Sequence, residues 1–293
     1  MAHLVFTNIQ ISIYYLLTSI FTIMRSLVSF SSAKWLFQVG LICFIFGACQ
    51  KEKILEKKVL EGSGLKSSAN AETKFNTFNG DEIAVGSGYA HTFITQSHTG
   101  VPLELGIVFT EEAFSGLPTT NTPYVLDFHQ KALKSTPFEH LALGWSANGH
   151  PLPGGAFIPA HFDIRFYMMS LTARLAIPAP PDPSILLLPP AGYMPANYIS
   201  DAAVAQLGVH WAPNNFTSGS SVDHTMILGS FNGNFVFVSP IVTRATLLSG
   251  TEISLPYAQP QFFAQHGYYP SRYNIYVDDK HRHYVTLSDF VWR

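Results

Sequence analysis

The run Pro159-Ala160-His161-Phe162-Asp163-Ile164-Arg165-Phe166-Tyr167 sets an imidazole, a carboxylate, a guanidinium and a phenol at every second position. In an extended strand successive side chains alternate between faces, so His161, Asp163, Arg165 and Tyr167 fall on one face and Phe162, Ile164, Phe166 and Met168 on the other. The second face is apolar enough to be core, which puts the first on water or in a pocket. An imidazole and a carboxylate two residues apart on a barrel strand, completed by a distant histidine, can hold a divalent metal, as in cupin-like sites. His210, in Gly208-Val209-His210-Trp211, is the candidate third ligand. His140, after Glu139, and His150, between Gly149 and Pro151, are further candidates for a ligand or metal. The same residues also make a structural polar network in which Asp163 pairs with Arg165 or with an imidazole. Arg165 favours the network, because a permanent positive charge beside the site opposes a cation.

The remaining histidines read differently. His224 is also a candidate ligand, though it shares its strand face with Val222, Met226 and Leu228, the setting of a half-buried core imidazole with one nitrogen satisfied. His281 and His283 flank Arg282 beside a turn and read as solvated. Other chemistries lack their residues. No Gly-x-Ser-x-Gly elbow occurs, since Gly86-Ser87-Gly88 has the wrong spacing and precedes a strand. Neither a phosphate-binding loop nor His-Glu-x-x-His is present, and no acid pair stands out for glycoside hydrolysis.

The elements that position these residues are strands. Residues 88–95 and 102–110 alternate as strands joined through Ser97-His98-Thr99-Gly100, a hairpin composition. Thr110 is placed to cap a short helix with Glu111 and Glu112 in its first turn, stopped by Gly116-Leu117-Pro118. Strand patterns follow at 138–145, 161–169, 206–211, 222–230 and 234–242, the last two turning through Asn232-Gly233, and a final hairpin covers 271–287. Strands at short spacing without β-α-β alternation predict a mainly β domain, an antiparallel β-sandwich or barrel with one or two short helices. The prolines between 177 and 197 forbid ladder hydrogen bonding there, so this is a long loop; the apolar run 185–188 predicts that it packs on the domain or on a neighbouring subunit.

The chain of 293 residues is 47% hydrophobic and 12% charged, which excludes a disordered or coiled-coil protein. Its 17 basic and 19 acidic residues leave no field for a phosphate backbone, so no nucleic-acid partner is expected. The acids all lie beyond residue 48. Within the first 48 residues Arg25 and Lys34 precede the apolar run 35–46, too short to span a bilayer as a helix but suited to a secretory signal. It ends in Phe46-Gly47-Ala48-Cys49, which resembles a lipobox with Phe in place of the usual Leu. The expected order is therefore a non-native extension at 1–23, a lipoprotein signal peptide at 24–48, an acylated Cys49 with a flexible tether over 49–83, and one β-rich domain at 84–293. A chain so processed has no thiol in its folded domain, faces the outside of the cytoplasm, and contacts the membrane through its lipid.

Phe138-Glu139-His140, Trp145, Gly149-His150-Pro151, the His-Phe-Asp-x-x-Phe-Tyr strand, Gly-x-His-Trp at 208–211, the hairpin 224–238 and the segment 268–273 together resemble a family of bacterial exported proteins of unknown function, typified by a Thermus thermophilus protein. The resemblance covers roughly residues 84–293. It implies a β-rich, self-associating domain outside the cytoplasm, hence a homo-oligomer, with no established reaction. In the family pattern a His stands at the position of Arg165 and a Glu at that of Ser239, before Pro240. If those side chains are metal ligands in the family, this chain has lost two of them. The expectation is thus an envelope lipoprotein with a polar pocket that binds a ligand or is a degenerate metal site. The alternative is a metal-dependent enzyme with a cupin-like site.

Overall fold

The alternating segments do become strands, and their hydrogen bonding sorts them into two sheets. The structure is a computed structural model that describes residues 75–150, 159–215 and 222–293. The first sheet holds β1 (Phe75–Val85), β2 (Gly88–Ser97), β3 (Pro102–Phe109), β11 (Ile253–Pro256), β12 (Tyr268–Val277) and β13 (His283–Trp292), in the order β1-β2-β3-β13-β12-β11. The second holds β4 (Thr122–Asp127), β5 (His140–Ser146), β6 (His161–Tyr167), β7 (Tyr198–Val204), β8 (Gly208–Pro213), β9 (His224–Phe231) and β10 (Asn234–Thr243), in the order β4-β5-β6-β10-β9-β8-β7. Every pairing is antiparallel. The fold is therefore mainly β, two open sheets rather than a closed barrel.

One core lies between the sheets. Ile94, Leu105, Ile107, Phe109, Val285 and Leu287 meet Leu141, Leu143, Phe162, Ile164, Phe166 and Leu228, all buried in a single apolar cluster. This is the face of β6 that the alternation assigned to the core. At about 25 cal/mol for each Å² of apolar surface removed from water, such a layer dominates the driving force for folding.

Several elements depart from the sequence expectation. The first strand begins at Phe75, so residues 75–83, expected in the tether, belong to the first sheet. Their pattern was obscured by Asn79-Gly80-Asp81, where the register with β2 shifts at a bulge and the strand is largely exposed. The extension 1–23, the signal segment 24–48, Cys49 and the rest of the tether lie outside the described residues. Helical segments are more numerous than one or two: a 3-10 turn Glu111–Phe114 and the helices Gln130–Ser135, Leu171–Leu175, Pro183–Leu186 and Arg244–Leu248. Each is too short to display a 3.6-residue period, and their visible signals are caps, with Ser170, Asp182 and Thr243 accepting from backbone N–H groups. Thr110 does not cap through its side chain; its Oγ1 accepts from the Tyr89 N–H at 3.2 Å instead.

The proline-rich loop packs on its own domain. Ile185 is fully buried with Ile177 and Val209, and the β9–β10 turn is tied down by the Gly233 N–H donating to the Leu187 carbonyl at 2.9 Å. Leu186, Leu187 and Leu188 remain exposed. His283, expected in solvent, is buried in β13, its Nδ1 2.9 Å from the Leu247 carbonyl, because the hairpin turn ends before it and strand alternation turns it inward. Among the described residues no helix is long and apolar enough to cross a membrane.

Candidate functional site

The polar face of β6 does not meet water. Every residue of the strand is buried, because β5 and β10 flank it and a second apolar cluster, with Ala142, Tyr167, Ile227, Phe237 and Ile241, covers the outer side of the seven-stranded sheet. Strand register then fixes the neighbours: Ser146 faces His161, Gly144 faces Asp163 and Ala142 faces Arg165 on β5, while Ile241 faces Asp163 on β10.

Asp163 is the hub. Its Oδ1 lies 3.2 Å from Nη2 of Arg165. Its Oδ2 accepts from the Ser146 hydroxyl at 3.2 Å and lies 3.4 Å from Nε2 of His150 and 3.6 Å from Nε2 of His161. Gly144 leaves room for this pair, since a Cβ there would sit 3.2 Å from Nη1 of Arg165 and 3.6 Å from the Asp163 side chain. The Pro159 carbonyl accepts from Nδ1–H of His161 at 2.7 Å, which turns Nε2 toward the carboxylate. His150 approaches from the Asn148-Gly149 turn, its ring 4.7 Å from that of His161 and edge-on, with a third of its side chain still exposed. Burial alone would push the Asp163 carboxyl up, but Arg165, followed by the hydrogen-bonding imidazoles of His150 and His161, outweighs it and holds the group well below the usual carboxylate range.

His150, His161 and Asp163 are the sequence-derived candidates that the fold brings together; one ligand atom from each lies within 4.8 Å of the others. The separations of 3.4 and 3.6 Å suit atoms sharing a tetrahedral cation at about 2.0–2.2 Å. Arg165 is the misfit, its guanidinium already spending its charge on the same carboxylate. His210 is buried close by, in the field of Arg165 and Asp163, but its Nδ1 faces the Ala202 carbonyl at 3.4 Å; burial first, then Arg165, lowers its pKa to about 4. His140 sits at the far end of β6, facing Tyr167 in register and stacked on its ring at 5.1 Å. Burial and then Arg174 lower its pKa to about 4, against an opposing contribution from the Met169 backbone. His224 is half-buried on the opposite side of the sheet, its Nδ1 3.0 Å from the Tyr273 hydroxyl, away from the cluster. Ser239 is buried on β10 with its hydroxyl lacking a hydrogen-bond partner.

Two members of this face escaped the sequence reading. Ser146 follows from alternation along β5 once His140 is placed, but a lone serine carries no signal without the register. Arg174, in the helix Leu171–Leu175, lies over the Tyr167 ring with its guanidinium carbon 5.3 Å from the centroid, and no periodicity in the segment points there.

Against known proteins, residues 97–145 match the family model described as TTHB210-like, hypothetical protein TTHB210. The matched stretch runs from the last residue of β2 to the next-to-last of β5; it contains His140 and Trp145 and stops short of His150 and β6. No curated protein matches the chain. No solved structure matches it either.

Proposed function

We propose that this protein is a bacterial cell-envelope lipoprotein whose β-sandwich is a binding or structural module and not a metalloenzyme, with a degenerate metal site around Asp163. The observation that carries the reading is the Asp163–Arg165 contact at 3.2 Å in a place where both side chains are buried. A guanidinium there neutralises the carboxylate that a cation would need, and its charge adds repulsion of about 3 kcal/mol per unit of cation charge at about 5 Å in an effective dielectric of about 20. The sequence resemblance to the exported family, from whose pattern Arg165 and Ser239 depart, favours the same view, and the exposed leucines 186–188 offer a surface that a second copy would cover in a homo-oligomer.

Calorimetric titration with zinc tests the site. The wild type is expected to bind weakly or not at all, and Arg165→His, which restores an imidazole and removes the opposing charge, to bind on the order of 100-fold more tightly. Tight one-to-one uptake by the wild type would favour the second reading, a metal-dependent enzyme, which the clustering of His150, His161 and Asp163 within 4.8 Å supports. The envelope location is tested separately. Mass spectrometry of the membrane-extracted protein should find Cys49 acylated at the mature N-terminus, whereas an unprocessed chain carrying residues 1–48 would remove the lipoprotein assignment.

A further inference from the structure

Among the described residues the buried ionic side chains are one acid, Asp163, and two arginines, Arg165 and Arg174. Arg165 has taken Asp163. Arg174 is 7% exposed, and no described carboxylate lies within 4.0 Å of it. Its Nε is buried without a hydrogen-bond partner among the described residues, and its guanidinium lies over the face of Tyr167. The Tyr167 hydroxyl donates to the Leu207 carbonyl at 3.0 Å, so it offers the guanidinium only its ring. Burial opposes the charge on Arg174, Tyr167 partly offsets this, and Arg165 adds to the opposition. Yet a guanidinium does not give up its proton in a protein, so this face keeps one positive charge more than it balances. Buried charges are ordinarily paired, and the planar fork of arginine is matched by the two oxygens of a carboxylate or phosphoryl group.

We infer that the outer face of the seven-stranded sheet binds an oxyanion at Arg174, a carboxylate or phosphoryl group of a small molecule, seated beside Tyr167 and His140. The anion supplies the missing negative charge and accepts from the terminal guanidinium N–H groups. His140, a neutral imidazole, stacks on the same tyrosine ring and lines the site without adding charge. The inference names a ligand chemistry for the binding module proposed above and rests on that reading. Zinc titration probes Asp163 and anion titration probes Arg174, so either idea can fail without the other.

The test is thermal unfolding of the full chain in detergent at constant ionic strength, with chloride replaced by inorganic phosphate or by acetate. At an anion concentration about 100 times Kd, the wild-type Tm should rise by about 5–10 °C, and Arg174→Gln should lose that rise. A response to both anions supports the shared chemistry. A response to phosphate alone, or to acetate alone, supports the site and assigns it to a phosphoryl or a carboxylate ligand. Absence of any shift in the wild type overturns the inference, and so does an equal shift in Arg174→Gln, which would mark a general salt effect. If Arg174→Gln does not fold, Arg174→Lys keeps the charge without the fork; it should bind about tenfold more weakly, and undiminished binding by it would overturn the bidentate site.

Discussion

Between pH 6.5 and pH 4 the domain is expected to lose on the order of 5 kcal/mol of stability, most of it above about pH 4.5, where ordinary carboxylates are still ionised. The loss comes from His140 and His210, each buried and each with a pKa lowered to about 4. In the unfolded chain both imidazoles titrate near 6.5, so within this window the unfolded state binds more protons than the folded one and acid favours unfolding. Above pH 6.5 the histidines are neutral in both states and their contribution is fully present. As pH falls toward 4 it disappears, at up to about 3 kcal/mol for each imidazole. Asp163 acts in the same direction at lower pH: its depressed folded pKa gives stability present above the normal carboxylate range and lost as pH falls through the folded value. Since domains are held together by only about 5–15 kcal/mol, the protein should unfold in mild acid. Urea unfolding curves at pH 7.5, 6.5, 5.5 and 4.5 measure this directly, and His210→Phe should flatten the dependence by about half. A free energy that stays level from pH 7 to 4.5 would mean that water reaches these imidazoles.

Arg165→Met is expected to cost about 3–5 kcal/mol, more than any surface substitution in the chain, because it leaves the Asp163 carboxylate buried without its cation. Asp163→Asn should be damaging for the mirror-image reason, since Arg165 would then join Arg174 as a second buried guanidinium without an acid. The double variant Asp163→Asn/Arg165→Met removes both charges together, and it should recover most of the loss of either single change. Coupling of several kcal/mol in such a cycle is the signature of a desolvated pair. Denaturant unfolding of the four proteins gives the number. Single variants that each cost less than about 1 kcal/mol, with additive effects, would place the pair in solvent-screened surroundings.

Strand alternation made the hub legible before any coordinates: His161, Asp163 and Arg165 had to share a face, and Phe162, Ile164 and Phe166 had to face the core. What alternation cannot say is what covers a polar face. An isolated strand with polar residues on one side is expected to meet water, and nothing local in 161–167 announces that the outer side of the sheet is closed by a second cluster around Tyr167 and Phe237. Proximity in sequence likewise misled for His140, which lies next to the site in composition but at the other end of β6 once register is set. His150, on a turn, reached the carboxylate although no period predicted it. Helices of four to six residues were missed because fewer than two turns leave no stripe to read, and β1 because its bulge interrupts the period of two.

The position of β13 has a further consequence, for the order in which the protein can assemble. That strand pairs with β3 on one side and β12 on the other, with His283 opposite Phe109 and Ser288 opposite Glu104. The first sheet is therefore joined at its middle by the last of the described strands, and the halves β1-β2-β3 and β11-β12 have no hydrogen-bonded connection without it. Bringing residues so distant in sequence together costs loop entropy before any burial rewards it, which makes this closure a slow step in folding. Until β13 has emerged from the ribosome, the nascent chain presents two unfinished sheet fragments, each with an open edge, and the core between the sheets cannot be sealed.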